Sequence, residues 1–159
     1  MWTVIDSPVG ELRLVEHAGA IIAIEFSPFR EGDGRPRGGR DDEQAVLVEC
    51  ARQLRAYFAR ELTEFDLPLA PRGSDFQQRV WKALQEIDYG ETASYGQIAH
   101  RIGKTNAASR AVGVANGSNP IPIVIPCHRV IGADGTLTGY AGGLERKQLL
   151  LGLEQESLF

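Results

Sequence analysis

Apolar and polar residues alternate over the first 26 positions of the chain. Trp2 and Val4, then Leu12 and Leu14, recur every second residue, with Ser7-Pro8-Val9-Gly10 between them as a turn. A period of two marks a half-buried strand, so these segments predict antiparallel strands. Ala20–Phe26 (AIIAIEF), set off by Gly19, predicts a third. The pattern stops at residues 27–43, where glycines, prolines and mixed charges predict an exposed, mobile loop. A helical period then takes over. Leu47, Cys50, Leu54 and Tyr57/Phe58 predict a helix from about Asp42 to Arg60, with acidic residues in its first turn.

Leu67-Pro68-Leu69-Ala70-Pro71-Arg72-Gly73 breaks any regular element and divides the chain into two expected domains, 1–70 and 71–159. The second is helical in its grammar. Ser74-Asp75-Phe76-Gln77 is a capping box opening a helix that carries Phe76, Val80, Trp81, Leu84 and Ile87, ended by Tyr89-Gly90-Glu91. Ser94-Tyr95-Gly96-Gln97 is a second capping box, opening a short helix through Ile98, Ala99 and Ile102 that Gly103 stops. Thr105 or Asn106 caps a further helix to about Asn116, so the pair reads as a helix-turn-helix. The later helix, AASRAVGVANG, is small throughout except for Arg110. Small residues allow close approach, either to another helix or to a narrow groove such as the DNA minor groove. A last amphipathic helix covers Leu144–Leu153 and ends at Glu154. A fold of α+β class is expected.

Composition narrows the function. The 159 residues carry a net charge of −4 and two cysteines. Two cysteines do not make a disulfide framework, no apolar run is long enough to span a bilayer, and the N-terminus lacks a signal peptide's pattern; a cytoplasmic protein is expected. The acidity is uneven. Residues 1–72 have a net charge of −4, whereas residues 92–147 hold six bases (Arg101, Lys104, Arg110, Arg129, Arg146, Lys147) against Asp134 and Glu145. Such a window is a candidate anion-binding patch.

The chemistry gathers at Cys127. Ile121–Ile125 (IPIVI) reads as a short extended run, and Pro126 fixes the approach to Cys127, His128 and Arg129. A thiolate is the reactive form of cysteine, and neighbouring His or Arg lowers its pKa. In an extended chain adjacent side chains point apart, so a water is expected between Cys127 and His128. Tyr140 lies in the glycine-flanked run Thr138-Gly139-Tyr140-Ala141-Gly142-Gly143, which suits a flat ligand. Cys50 sits on an apolar stripe and reads as packing. These residues fit an enzyme with an activated cysteine nucleophile, a DNA-binding module without chemistry, or, less well, a thiol hydrolase, which needs a separate orienting residue and an oxyanion hole.

Ile125-Pro126-Cys127-His128-Arg129-Val130 resembles the active-site signature of the O6-alkylguanine-DNA alkyltransferases. The likeness extends through Tyr95-Gly96, Ser109–Gly113, Asn119–Pro122 and Tyr140–Gly143. It implies a ribonuclease-H-like N-terminal domain and a winged-helix-like C-terminal domain with a helix-turn-helix. It also implies one-step, irreversible transfer of an alkyl group from O6-alkylguanine, and from O4-alkylthymine, in flipped-out bases of duplex DNA. By the resemblance, Cys127 accepts the alkyl group, His128 deprotonates it through a water, Glu154 polarises the histidine and Asn119 orients the backbone beside the cysteine. Tyr95 rotates the target phosphate and contacts the base. Arg110 enters the base stack, with Ser94, Ala111 and Gly113 beside the DNA. Tyr140, Val130, Ala141 and Gly142 line the pocket; Ala141 stands where some members have Ser. No counterpart of the zinc ligands of some members precedes Cys50, so neither metal nor cofactor is expected. The implied partner is double-stranded DNA bound by a monomer, with contact between neighbouring copies left open. The alternative is a non-catalytic DNA-binding or damage-sensing protein.

Overall fold

The structure, a computed structural model, describes residues 1–156, and the chain divides into two compact units, Met1–Pro71 and a second that begins at Arg72. In the first unit the alternating segments form β1 (Trp2–Ile5), β2 (Leu12–His17) and β3 (Ala20–Phe26). They make an antiparallel sheet in chain order. Ile5 pairs with Leu12, and Leu14 with Ile24, so these apolar side chains share one face. Helix α1 (Ala45–Phe58) packs on the sheet, with Leu47, Cys50, Leu54 and Tyr57 buried. Burying each large apolar chain contributes roughly 1.5–3 kcal/mol. The helix starts later than its periodicity suggests: Gln44 caps it, accepting from Leu47 N at 2.9 Å, and the acids Asp41, Asp42 and Glu43 precede its first turn.

The opposite face of the sheet explains the segment 27–43. Arg13 on β2 lies across from Glu25 on β3 and is only 3% exposed. A buried guanidinium needs donors matched and charge met. Glu25 accepts from its Nε at 2.9 Å, Glu31 from Nη1 at 2.6 Å and the Arg30 carbonyl from Nη2 at 3.1 Å. The Phe29 and Trp2 rings lie 4.9 and 5.7 Å from the guanidinium. Arg37 also pairs with Glu25 and Asp33, at 2.7 and 2.8 Å. Backbone bonds Trp2 N–Gly39 O (3.0 Å) and Asp41 N–Trp2 O (2.9 Å) tie down the segment's far end. The expected mobile loop is therefore corrected: it is anchored, because Glu31 and the Arg30 carbonyl join Glu25 of β3 in meeting the guanidinium that the sheet's outer face buries.

The second unit runs α2 (Asp75–Leu84), β4 (Ala93–Ser94), α3 (Tyr95–Arg101), α4 (Ser109–Gly117), β5 (Val130–Ile131) and α5 (Leu144–Glu156). Single 3-10 turns stand at Asn106–Ala108 and Cys127–Arg129, and β4 pairs parallel with β5. Both capping boxes form, Ser74 with Gln77 and Ser94 with Gln97. Gly103, at φ +78°, ends α3 in the left-handed region. Helix α2 stops at Leu84, sooner than the expected Ile87, which is buried in the turn that follows. The small residues of α4 let it lie close against α2 and α3, where the Trp81 indole on α2 donates to Ala115 O at 2.8 Å. Val112, Ala115 and Asn116 face inward, while Arg110, Ala111 and Val114 are exposed.

The run Ile121–Ile125 is not extended. Ile125 N donates to Ile121 O and Val124 N to Pro122 O, both at 2.9 Å, and Ile123 has φ +73°. The Asn119 side chain closes this turn, accepting from Ile121 N at 3.0 Å and donating to Ile125 O at 2.8 Å. Pro122 inside the run and Pro126 just after it each lack a ladder donor, which disfavours a paired strand.

The capping box at Ser74 is testable by itself. Ser74→Ala removes the acceptor of Gln77 N, and urea unfolding should show a loss of about 1 kcal/mol.

Candidate active site

Cys127 opens the 3-10 turn that follows the Asn119-closed loop, and 4% of it is exposed. The extended geometry expected around it is corrected: the turn, not a strand, presents Cys127 and His128. Asn116 on α4 donates to Cys127 O at 3.3 Å, so α4 holds the cysteine backbone from the other side. Burial pushes the Cys127 thiol up, against the pull of Asn119, the Tyr140 hydroxyl and Lys147. The expected lowering by neighbouring His and Arg is therefore outweighed by burial. At rest this cysteine keeps its proton, and a base must take it. Cys50 is buried too and is pushed up to about 12, consistent with packing.

His128 is fully buried, and its Nε2 lies 2.7 Å from Glu154 Oε2. Burial pushes the Glu154 carboxyl up, but the bonds from His128 and Arg129 outweigh it and hold it at about 2. An ionised carboxylate only accepts, so Nε2 carries the hydrogen and Nδ1 is left as the lone pair. Among the described residues Nδ1 has no hydrogen-bond partner. Burial pushes the imidazole down, Glu154 pushes it up, and Arg129 and Lys147 push it down again; the outcome is a histidine that stays neutral.

Glu154 is 1% exposed, not a solvated helix end. Arg129 binds both its oxygens, Nε to Oε1 at 2.8 Å and Nη2 to Oε2 at 3.0 Å, and gives Nη1 to Ile87 O at 2.6 Å. One helix turn pair away, Lys147 is fully buried and donates from Nζ to Val130 O at 2.5 Å and Thr138 O at 3.3 Å. Burial pushes its ammonium down, and Cys127 pushes it up. Lys147, Leu150, Leu151 and Glu154 fall at helical spacing on the buried face of α5. Two charged residues inside an apolar stripe were the signal available for Lys147, which was counted only as surface charge.

The structure therefore brings Cys127, His128, Glu154, Asn119 and Tyr140 together, with Val130 held by Lys147. Tyr95 stands at the start of α3, its hydroxyl hydrogen-bonded to Thr138 and its ring against Gly113 of α4. The Ser94 hydroxyl is committed to capping, accepting from Gln97 N at 3.1 Å. Gly142 O accepts from Arg146 at 3.3 Å, and Ala141 is exposed. Arg110 and Ala111 lie away from the cysteine's hydrogen-bond network, exposed on α4. The basic window shrinks in three dimensions. Arg129 and Lys147 are buried and engaged and Arg146 is half-buried, whereas Arg101, Lys104 and Arg110 are exposed to an incoming anion. Among the described residues no cluster of His, Cys, Asp and Glu could hold a metal ion, and no helix is long and apolar enough to cross a membrane.

Comparison with known proteins follows the same division. The family model "6-O-methylguanine DNA methyltransferase, ribonuclease-like domain" matches residues 1–71, and "6-O-methylguanine DNA methyltransferase, DNA binding domain" matches residues 75–156. Proteins called methylated-DNA–protein-cysteine methyltransferase are similar in Mycolicibacterium paratuberculosis (54% identity over 95% of this chain and 90% of that protein) and Methanosarcina barkeri (51% over 99% and 98%). The crystal structure of Mycobacterium tuberculosis OGT in complex with DNA superposes with a TM-score of 0.90 at 51% identity, covering 98% of this chain and 93% of the other.

The Glu154 carboxylate carries a pH-dependent part of the stability. Its folded pKa is depressed, so its contribution is complete above the ordinary carboxylate value of 4.5 and is lost as pH falls toward about 2. Glu154→Gln strands the Arg129 guanidinium. Unfolding experiments at neutral pH should show a loss of about 3–5 kcal/mol, and the gap to the native protein should narrow on acidification through that window.

Proposed function

The chain belongs to the 6-O-methylguanine DNA methyltransferase family, and from that premise we propose that it repairs DNA by moving an alkyl group from guanine O6 to its own Cys127. The observation that carries the assignment of residues is the buried Cys127 beside a neutral His128 whose Nε2 hydrogen is spoken for by Glu154. The thiol proton passes through a water to Nδ1 of His128. The sulfur attacks the alkyl carbon in line with O6, the carbon–oxygen bond breaks, the base leaves with a proton supplied by the Tyr95 hydroxyl, and the proton taken up by His128 returns through water to the Tyr95 oxygen. That step has Tyr95 exchange its bond to Thr138 for one to the substrate. The thioether is stable and neutral, and no group in the site can expel it, so each chain acts once.

A guanine stacked in a duplex cannot reach a cysteine that is 4% exposed. The base must be flipped out, at an unstacking cost of a few kcal/mol. Arg110 on the exposed face of α4 is placed to fill the vacated stack, and the low surface of Ala111 beside it suits the minor groove. The pocket wall is Tyr140, the Val130 carbonyl and the Ala141–Gly142 backbone; O4-alkylthymine presents a similar alkyl ether and is the second expected substrate.

Two experiments test this reading. Incubation with duplex DNA carrying O6-methylguanine, followed by intact-mass and peptide analysis, should show one methyl group gained, on the Cys127 peptide. An unchanged mass with tight DNA binding leaves a damage-sensing module instead. Arg110→Ala should slow repair in duplex DNA about tenfold or more while leaving reaction with free O6-benzylguanine close to native. Equal losses on both substrates remove the stack-filling role.

A further inference from the structure

Arg129 is one of the most constrained side chains of the second unit. Its three donor nitrogens are all used, two on the carboxylate oxygens of Glu154 and one on the Ile87 carbonyl after α2. Its guanidinium lies 5.7 Å from the Tyr89 ring. Only a planar fork meets both oxygens of a carboxylate in this way, and a lysine ammonium does not. The same carboxylate also receives His128 Nε2 at 2.7 Å. Glu154 is therefore shared between one permanent cation and one group that can become a cation.

That sharing has a chemical consequence. A carboxylate facing a lone histidine draws a proton onto it, as an ion pair forms. A charged imidazole has no lone pair for the Cys127 proton. Here the negative charge of Glu154 is already met by Arg129, and the charges acting on His128 are Glu154 and Lys147 from α5 and Arg129 from its own turn. Protonating His128 would put a second cation beside Arg129 on one buried carboxylate, with Lys147 acting against the same ring. We propose that Arg129 is a positioning residue of the transfer reaction: its guanidinium holds Glu154 flat against His128 and meets its charge, so that His128 stays a neutral proton acceptor. The inference rests on the reading that His128 takes the Cys127 proton.

The test is the pH dependence of transfer from free O6-benzylguanine, which bypasses DNA binding, measured between about pH 5 and pH 8. In Arg129→Met the acid limb of the rate should move up by about one pH unit, with the rate recovering toward native at the alkaline end. Arg129→Lys should return the limb toward its native position. A folded methionine variant whose rate falls by the same factor at every pH overturns the proposal, since that is what loss of structure alone produces. NMR titration of the His128 ring in the native protein gives a second reading that no variant's folding affects: the ring should be neutral at pH 7, and a charged ring there also overturns the proposal. If the native protein transfers nothing to Cys127, the functional reading fails, and the His128 titration still decides whether Arg129 and Lys147 outweigh Glu154.

Discussion

Placing the Glu154 carboxylate inside the protein is unfavourable unless charge and donors meet it, and much of the second unit can be understood as meeting it. The partners come from far apart in the chain. His128 and Arg129 arrive from a 3-10 turn, and the Ile87 carbonyl from the turn after α2 shares the same guanidinium. The helix α5 that carries Glu154 also carries Lys147, which fastens the carbonyls of Val130 and Thr138. The Glu154–Arg129 pair thus ties α5, the reactive turn and the turn after α2 together, and a shift in any of them would leave a buried charge or donor unmet.

The same network sets the character of the cysteine. An exposed, low-pKa thiolate would react with any electrophile that reached it. Cys127 is the opposite case, a buried thiol pushed up by its surroundings. Its reactivity waits on a base that is neutral, oriented and adjacent, and on a substrate brought into an enclosed site. Under the proposed single transfer to this residue, such restraint favours the alkyl donor over stray chemistry.

Much of the fold was legible in the sequence because it rests on local rules. Period-two alternation marks β1 and β2, and the two capping boxes mark the starts of α2 and α3 to the residue. What was not legible depends on long-range satisfaction of polar groups. Segment 27–43 has the composition of a mobile loop, yet a buried Arg13 on the sheet recruits it. Ile121–Ile125 has the composition of a strand, yet the Asn119 side chain folds it into a turn. Lys147 reads as a surface base in a list of charges and as a buried strut only when the apolar face of α5 is traced. Arg129, beside the cysteine in sequence, acts on a carboxylate 25 residues away.

The account turns on which nitrogen of His128 holds the hydrogen. If Glu154 accepts from Nε2, then Nδ1 is the base, and the whole arrangement of turn, helix and ion pair has a chemical purpose. Nitrogen-15 NMR of the native protein at neutral pH reads this directly. The account predicts a protonated Nε2 and an unprotonated Nδ1. A hydrogen on Nδ1, with or without one on Nε2, would contradict it.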